Sequence, residues 1–229
     1  ETIDNEYFIV GERDADIYDT NQGMTLLKVD SDGNEIWYKT YSEHEGSSII
    51  FSIDLTIDGG LIMGANYFND ATSRFVPTLL KTDSDGNLEW LKEYDLNTSV
   101  NNTEIVTDVK TTSNNEYVFS TYYNVRKSNS NGNLEWIYNI EGSCISIVVD
   151  EDGNTIFVGY VGNELMLGKL NSDGQKLWNN TFNDRNSTRG VSVDLTSDGG
   201  YIITGYSTYD GDYGYLLKTD SNGNKVWDK

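Results

Sequence analysis

The chain has 229 residues, of which 37% are hydrophobic, and its 37 acidic side chains against 16 basic ones give a net charge of −21. Binding to nucleic acid or to an anionic membrane through a basic surface is therefore disfavoured, because long-range repulsion opposes the encounter. No apolar run approaches the ~18 residues of a membrane-spanning helix. The length suits one large all-β domain or two small ones, and 22 glycines against one proline predict turns made by Gly, Asn and Asp.

Taken in order, the chain alternates two repeated sequence units. The first unit is clearest at 192–205 and recurs at 52–65, with looser copies at 108–121 and 146–159. Each copy predicts an alternating strand, a turn of Asp, Asn and Gly, and a second strand that is more continuously apolar. A fifth copy at 2–11 begins midway, at the turn, and so lacks the first of these strands.

The second unit has the pattern Lys-x-(Asp/Asn)-Ser-(Asp/Asn)-Gly-(Asn/Gln)-x-x-Trp and contains all five tryptophans of the chain. It predicts a strand, a tight turn and a strand that carries the tryptophan. The repeated lysine, glycine and tryptophan, which we interpret as structural, are Lys28, Gly33, Trp37, Lys81, Gly86, Trp90, Lys127, Gly132, Trp136, Lys169, Gly174, Trp178, Lys218, Gly223 and Trp227.

Successive tryptophans are separated by 53, 46, 42 and 49 residues. A period of 40 to 50 residues that holds four strands is typical of a β-propeller, in which each sheet covers its neighbour's face. The predicted fold is all-β, a five-bladed β-propeller of four-stranded antiparallel blades whose first blade lacks its first strand. We expect one domain over 1–229, with blades near 1–41, 48–94, 105–140, 144–182 and 190–229.

The missing strand leaves three alternatives open. Residues beyond 229 supply it and close the ring, or the five blades belong to a larger propeller. In the third alternative, another copy of the protein completes the open edge and builds oligomers or fibres.

The turn at 83–87 is similar in composition to a calcium loop, but its glycine comes at the fourth position rather than the sixth. A tight hairpin explains these residues better, so we expect no metal site and no cofactor, with calcium as the alternative. A two-residue loop at Asp85-Gly86 places Lys81 directly opposite Trp90, whereas a three-residue loop makes the pair diagonal neighbours. In both cases the lysine stem is expected to cover the indole, with its ammonium near the ring or a turn carboxylate.

The pattern Asp83, Gly86, Trp90 resembles the tryptophan-docking repeat of pyrroloquinoline-quinone-type propellers. The stretches at 79–87 and 196–203 are also similar to repeats of predicted exported propellers in archaea and bacteria. The resemblance covers nearly the whole chain and implies an exported propeller without implying an activity. The quinone enzymes have one more residue between Asp and Gly, and their calcium-quinone site has no counterpart in this sequence. A five-bladed lectin with repeats of similar length resembles the chain in architecture.

In an up-and-down blade, the two hairpin turns of nearly constant sequence lie at one end of the sheet and the variable connections at the other. Variable loops on a repetitive scaffold are where binding usually occurs. They cover 12–23, 42–48, 66–76, 95–104, 161–164, 183–189 and 207–214. The candidate binding residues at this end are Arg13, Tyr18, His44, Tyr67, Arg74, Phe75, Arg185, Tyr209 and Tyr213.

No catalytic residues are predicted, because the single histidine, His44, lies between two glutamates without a neighbouring nucleophile motif. The sequence favours a non-catalytic exported or cell-surface module that binds a protein partner or itself, with strand completion at the open edge as one means of assembly. The alternative is a carbohydrate-binding lectin or glycoside-active propeller that uses the variable loops.

Two further features bear on location. Cys144 is the only cysteine and lies in an apolar run, which predicts a small core residue rather than a disulfide. Four sequons predict glycosylation and weakly favour an extracellular or cell-surface location. Their asparagines are Asn97, Asn101, Asn179 and Asn186.

Overall fold

The computed structural model describes residues 5–13, 23–41, 48–69, 73–94, 104–183, 187–207 and 213–229, and in these ranges the chain forms strands and no helix. The first eleven strands are β1 (Tyr7–Arg13), β2 (Gly23–Val29), β3 (Glu35–Tyr41), β4 (Ser48–Leu55), β5 (Leu61–Asn69), β6 (Arg74–Thr82), β7 (Leu88–Glu93), β8 (Val106–Thr111), β9 (Tyr117–Thr121), β10 (Asn124–Ser128) and β11 (Leu134–Asn139). The others are β12 (Ser143–Val149), β13 (Thr155–Val161), β14 (Glu164–Leu170), β15 (Lys176–Phe182), β16 (Thr188–Leu195), β17 (Tyr201–Ser207), β18 (Tyr213–Thr219) and β19 (Lys225–Asp228).

These strands form five antiparallel sheets, each in chain order, which we call blades 1 to 5. Blade 1 is β1-β2-β3, and blades 2 to 5 are β4–β7, β8–β11, β12–β15 and β16–β19. The prediction of four-stranded blades with an incomplete first blade is confirmed for the described residues. In blade 1, β1 occupies the position that the second strand has in the other blades. The second strand of blades 2 to 5 lies between two neighbouring strands, whereas β1 lies at the edge of its sheet among the described strands.

The chain divides into two compact units, unit 1 at Glu1–Val106 and unit 2 at Thr107–Lys229. Within unit 1, β4 packs against β1 and β2; within unit 2, β12 packs against β9 and β10, and β16 against β12, β13 and β14. The first strand of a blade is thus the element that covers the preceding sheet. The prediction of a single domain over 1–229 stays a prediction.

Alternation within the strands builds the cores. In blade 5, Tyr201, Ile203 and Leu217 point to one face and are 2%, 0% and 0% exposed, in a cluster with Ile156 and Leu167 of blade 4. The outermost strands β3, β11 and β15 alternate exposed and partly buried residues instead, as expected for edge strands with one covered face. Burial comes from packing sheet on sheet.

The structure bears on two further predictions, the burial of Cys144 and the loop at 66–76. Cys144 is fully buried, as predicted, and burial raises the pKa of its thiol to about 12. The stretch 66–76 was predicted as a loop, but β5 extends to Asn69 and β6 begins at Arg74, so most of it is a long hairpin. The cross-strand pair Phe68–Phe75, whose ring centroids lie 5.2 Å apart, extends that pairing beyond the repeat.

Candidate functional site

The repeated turn between the third and fourth strands is a hairpin loop of three residues. In blade 2, Gly86 N donates to Asp83 O, Asp83 N donates to Asn87 O, and Gly86 has a φ of 73°. The Asp83 carboxylate closes the turn, since Oδ1 accepts from the backbone N of Asp85 and Asn87 while Oδ2 accepts from Asn87 Nδ2. Both carboxylate oxygens of Asp83, which stands at the first position of the calcium-loop-like sequence, therefore accept hydrogen bonds within the turn itself.

Asparagine performs the same task in blades 3 and 4. Asn129 Oδ1 accepts from the backbone N of Asn131 and Asn133, and Asn171 Oδ1 accepts from those of Asp173 and Gln175. One acceptor oxygen is sufficient to hold the two backbone donors, which explains why Asp and Asn interchange at this position.

The two-residue loop at Asp85-Gly86 that the sequence allowed is wrong, but its consequence for the lysine is found. Lys81 pairs directly with Trp90, because a bulge between Lys81 and Thr82 leaves Glu89 without a partner position and restores the register. The same shift follows the motif lysine in every blade. A loop of three residues and a bulge together give the pairing that a two-residue loop alone would give.

The motif lysine reaches a carboxylate of its own blade. Lys81, only 2% exposed, donates to Asp58 Oδ2 and Glu89 Oε2 at 2.9 Å and to Thr82 O at 2.8 Å. Asp58 lies in the turn between the first and second strands, so the lysine ties that turn to the third strand. Burial raises the pKa of Asp58, but hydrogen bonds from Thr56 and Lys81 outweigh it and the pKa is lowered overall.

The other four blades repeat this ion pair with the carboxylate at different places. Lys218 bonds Asp198 at 3.0 Å and Lys169 bonds Asp150 at 2.9 Å. In blades 1 and 3 the carboxylate belongs to a glutamate, in the pairs Lys28–Glu6 at 2.7 Å and Lys127–Glu116 at 2.6 Å. The predicted approach to a turn carboxylate is found, at the first turn of the blade rather than at the motif's own turn.

In three pairs of consecutive blades, the motif tryptophan packs on the motif glycine of the following blade. A Cβ built on Gly86 would lie 2.5 Å from the Trp37 ring, and one on Gly174 would lie 2.5 Å from the Trp136 ring. Gly223 is placed in the same way, 2.6 Å from Trp178. The glycine is thus needed for its positive φ and again for the space that the indole occupies. We call this contact the blade-docking contact.

Polar groups two and four residues after the tryptophan complete the contact. Lys39 Nζ donates to Asn87 Oδ1 at 2.6 Å, and Tyr41 OH donates to Gly86 O at 2.7 Å. In unit 2, Asn180 Nδ2 donates to Gly223 O at 2.9 Å. Burial and then the charge of Asp83 raise the pKa of Tyr41 to about 12, so this donor keeps its proton at neutral pH.

The predicted binding residues of the variable loops are only partly described. Tyr18, His44, Arg185 and Tyr209 lie outside the described residues, as do Asn97, Asn101 and Asn186, and of Arg13 only the strand position at the end of β1 is described. Tyr67, Arg74 and Phe75 lie in β5 and β6, and Tyr213, 57% exposed, begins β18. Asn179 is exposed on β15. Of the described candidates, Tyr67, Arg74 and Phe75 share the end of the β5–β6 hairpin, where Tyr67 pairs with Val76 and Arg74 with Asn69.

A different cluster lies at the variable-loop end of unit 2. The Arg189 guanidinium stacks over the Tyr160 ring at 4.2 Å, and Arg189 is also the cross-strand partner of Tyr206, which is 37% exposed. Sequence reasoning placed Arg189 at this end but had no signal for its two aromatic neighbours, which come from β13 and β17. It also missed Arg126, which is 0% exposed and donates from Nε to Asn124 Oδ1.

The described residues contain no cluster of three or more His, Cys, Asp or Glu side chains placed to hold a metal ion. In the same ranges there is no helix long and apolar enough to cross a membrane.

Several solved structures resemble the chain. A protein from Lactobacillus plantarum matches with a TM-score of 0.66 and 12% identity, over 98% of this chain and 67% of its own. A protein of unknown function from Bacteroides caccae gives 0.63 and 16% identity, over 90% and 76%. The WD40 domain of Neurospora crassa Pan2 gives 0.60 and 11% identity, over 90% and 61%. No protein-family model matches the chain, and a search among curated proteins also found no match.

Similarity at this level of identity establishes the fold, and the chain is a β-propeller of five blades. A puromycin hydrolase and a luciferin-regenerating enzyme also match in fold, at 11% and 10% identity. Since the solved structures that share the architecture include enzymes, a WD40 domain and a protein of unknown function, the fold by itself assigns no activity.

Proposed function

We propose that the chain is a non-catalytic structural and binding module of the cell exterior, which takes up a strand from a protein partner at the open edge of blade 1. The observation that carries this proposal is the edge position of β1. Among the described strands β1 pairs with β2 alone, whereas β17, at the same place in blade 5, pairs with both β16 and β18. Two apolar side chains of β1, Tyr7 and Ile9, are 41% and 51% exposed. An exposed apolar edge strand is a ready site for strand addition.

Two further observations support a binding module. The repeated polar residues are engaged in the scaffold, because the motif lysines pair with turn carboxylates and the turn aspartates accept hydrogen bonds from backbone amides. The exposed Asn179 in a sequon and the net charge of −21 are compatible with an exported protein.

The test is strand uptake by blade 1. A synthetic peptide with the sequence of the first strand of blade 5, residues 188–195, is added to the protein, and amide exchange of β1 and affinity are measured. We expect protection of the β1 amides, and Ile9→Lys should weaken binding at least about tenfold, because a lysine blocks an edge strand.

Ile57→Lys is the matched control. Ile57 is 65% exposed in a turn, away from the β1 edge, so this variant carries the same charge change and should bind the peptide like the wild type. Equal exchange of the β1 amides with and without peptide would overturn the proposal.

Carbohydrate binding is a second candidate, favoured by the cluster of Tyr160, Arg189 and Tyr206. Aromatic rings beside a guanidinium offer stacking surfaces and hydrogen-bond donors at an exposed loop end. A glycan array compares the wild type with Tyr206→Ala. Binding that is lost in the variant supports this candidate, and an array without hits removes it.

A further inference from the structure

A tyrosine stands at one and the same position in each of the three blades of unit 2. The copies of the first repeated unit in these blades are each followed directly by a tyrosine, which lies at or next to the end of the second strand. Each tyrosine is therefore at the variable-loop end of its blade. The three residues are Tyr122 of blade 3, Tyr160 of blade 4 and Tyr206 of blade 5.

These tyrosines are accessible to a ligand. Tyr206 is 37% exposed, and Tyr122 and Tyr160 are partly exposed. Next to Tyr122 in its turn, Tyr123 is 39% exposed, and the centroids of these two rings lie 6.4 Å apart. In blade 2 the same position is Asn66, which is 1% exposed and exchanges two hydrogen bonds with the backbone of Val106. The exposed aromatic version of this position thus belongs to unit 2.

Backbone hydrogen bonds between neighbouring blades hold the three tyrosines in a row. Cys144 N, in the first strand of blade 4, donates to Tyr122 O of blade 3 at 2.9 Å. Thr188 N, in the first strand of blade 5, donates to Asn163 O of blade 4 at 2.9 Å. Because sheets packed face to face lie about 10 Å apart, a row over three blades extends for roughly 20 Å.

Arg189 lies in the middle of this row. Its guanidinium stacks over the Tyr160 ring at 4.2 Å, and the residue is the cross-strand partner of Tyr206. Its Nε is buried and has no hydrogen-bond partner among the described residues, whereas Nε of Arg126 donates to Asn124 Oδ1 at 2.6 Å. Stacking engages a face of the guanidinium and leaves its N–H groups to donate in the plane. The row therefore combines aromatic rings with a positioned hydrogen-bond donor.

The chemistry of the row favours a neutral glycan chain. A sugar ring has an apolar C–H face that packs on an aromatic ring and hydroxyl oxygens that accept from N–H groups. The net charge of −21 disfavours a polyanionic ligand, because long-range repulsion opposes the encounter. An aromatic side chain repeated once per blade suits a ligand that itself repeats.

We propose that unit 2 binds a neutral polysaccharide along the row of Tyr122, Arg189 and Tyr206, with one subsite in each blade. Tyr122 and Tyr206 pack on sugar faces at the two ends, and Arg189 donates to sugar hydroxyls between them. Tyr160 is a positioning residue, since its ring holds the guanidinium. This inference rests on the carbohydrate-binding candidate and identifies its ligand as a chain rather than a single sugar. It is independent of strand uptake at β1.

The first test is the dependence of binding on chain length. A glycan array carries hexose, pentose and N-acetylhexosamine oligosaccharides of one to eight units, beside uronic-acid oligomers of the same lengths. We expect hits among the neutral oligosaccharides and at least about tenfold higher affinity for the longest than for the disaccharide of the same series.

The other outcomes of the array separate this inference from the function on which it rests. Hits without a gain from length overturn the row of subsites, and hits confined to uronic acids overturn the neutral ligand, but both leave carbohydrate binding intact. An array without hits removes carbohydrate binding and the inference together. Strand uptake at β1 is measured separately and is affected by none of these results.

The second test titrates the best neutral octasaccharide and its disaccharide by calorimetry. Tyr122→Ala and Arg189→Gln should each weaken octasaccharide binding at least about fivefold, and Tyr122→Ala should also reduce the gain from length. Tyr38→Ala, at a tyrosine 46% exposed on β3 in unit 1, is the matched control for Tyr122. Lys176→Gln, at an exposed residue that begins β15, is the control for the lost charge.

Both controls should bind like the wild type, and all four variants should unfold at the wild-type temperature. Tyr122→Ala that unfolds normally and keeps the full affinity and length dependence overturns the proposal. Arg189→Gln that binds like the wild type overturns it as well, because the middle subsite then has no donor.

Discussion

At the residue scale, the motif glycine combines two requirements that other glycines of the chain meet singly. Gly86 needs a positive φ and also has the Trp37 ring against its α-carbon, whereas Gly199 has a φ of 78° with nothing within 4 Å of a built Cβ. Alanine at Gly199 pays about 1 kcal/mol for the left-handed backbone. Alanine at Gly86 adds an overlap with the indole, which costs a further ~1–3 kcal/mol.

We therefore expect Gly86→Ala to lower the free energy of unfolding by about 2–4 kcal/mol and Gly199→Ala by about 1 kcal/mol, measured by urea denaturation. The difference between the two variants reports the docking contact. Equal losses would show that Trp37 moves aside without cost and that the contact contributes little.

The buried lysine is the second residue with an identifiable contribution. Lys81→Ala removes hydrogen bonds to two carboxylates and to Thr82 O from a site that is 2% exposed. Since Asp58 and Glu89 are 47% and 45% exposed and regain water, we expect a loss of about 1–3 kcal/mol in unfolding free energy. Lys110→Ala, at a pair whose lysine is 30% exposed, should lose less than about 1 kcal/mol. Unchanged thermal unfolding of Lys81→Ala would contradict the packing role.

At the scale of the element, the repeated hairpin turn makes the free energy of unfolding decrease at low pH. Hydrogen bonds from the asparagine side chain and backbone lower the pKa of Asp30, Asp83 and Asp220 below the ordinary 3.8. With the folded pKa below the unfolded one, the stability from these turns is complete above the unfolded pKa and is lost as the pH falls through the folded pKa. The urea midpoint should stay level from pH 7 to about 5 and fall below about pH 4.

The triple variant Asp30→Asn/Asp83→Asn/Asp220→Asn tests this assignment. Asn129 and Asn171 show that an amide oxygen holds the two backbone donors, so the variant should fold and lose less of its stability in acid than the wild type. Identical pH profiles would place the acid dependence in other groups, such as the ion pairs of Asp58 and Asp150.

The elements differ in how far the sequence predicts them. The spacing of Trp37, Trp90 and the later tryptophans fixed the number and phase of the blades, because one large side chain per period has one place to pack. The bulge after Lys81 was not predictable, since periodicity shows which face a residue takes but not where one extra residue is accommodated. The lysine's partner was also hidden, because Asp58 precedes it by 23 residues and meets it only through sheet pairing. The hairpin around Phe68 and Phe75 was missed because it lies outside the repeat.

The candidate sites also differ in how far the sequence predicts them. The repeated glycine and tryptophan were interpreted as structural because they repeat, but their contact across blades, such as Trp37 on Gly86, was not predicted, because a single sequence does not show which turn faces which indole. The cluster of Tyr160, Arg189 and Tyr206 joins three strands, and Arg189 belongs to no repeated motif, so single-sequence reasoning had no signal that would bring them together.

At the scale of the whole molecule, charge opposes compactness. The acidic groups behind the net charge of −21 repel one another at low ionic strength. The ion pairs that stabilise the blades are sheltered by comparison, because the motif lysine is between 2% and 16% exposed in all five motifs. Salt screens exposed charges much more than buried pairs. The repulsion should therefore weaken with salt before the ion pairs do.

We accordingly expect the urea midpoint to rise between about 20 mM and 0.5 M sodium chloride, as the screening length falls to a few ångströms. The variant Asp32→Asn/Asp85→Asn/Asp173→Asn removes three exposed charges at a position where Asn131 and Asn222 already stand, so its turns should be undisturbed. It should be more stable than the wild type at low salt and rise less as salt is added. A midpoint that falls with salt would show instead that attractive pairs dominate the electrostatics of the folded chain, and the same measurement on Lys81→Ala would then show a smaller fall.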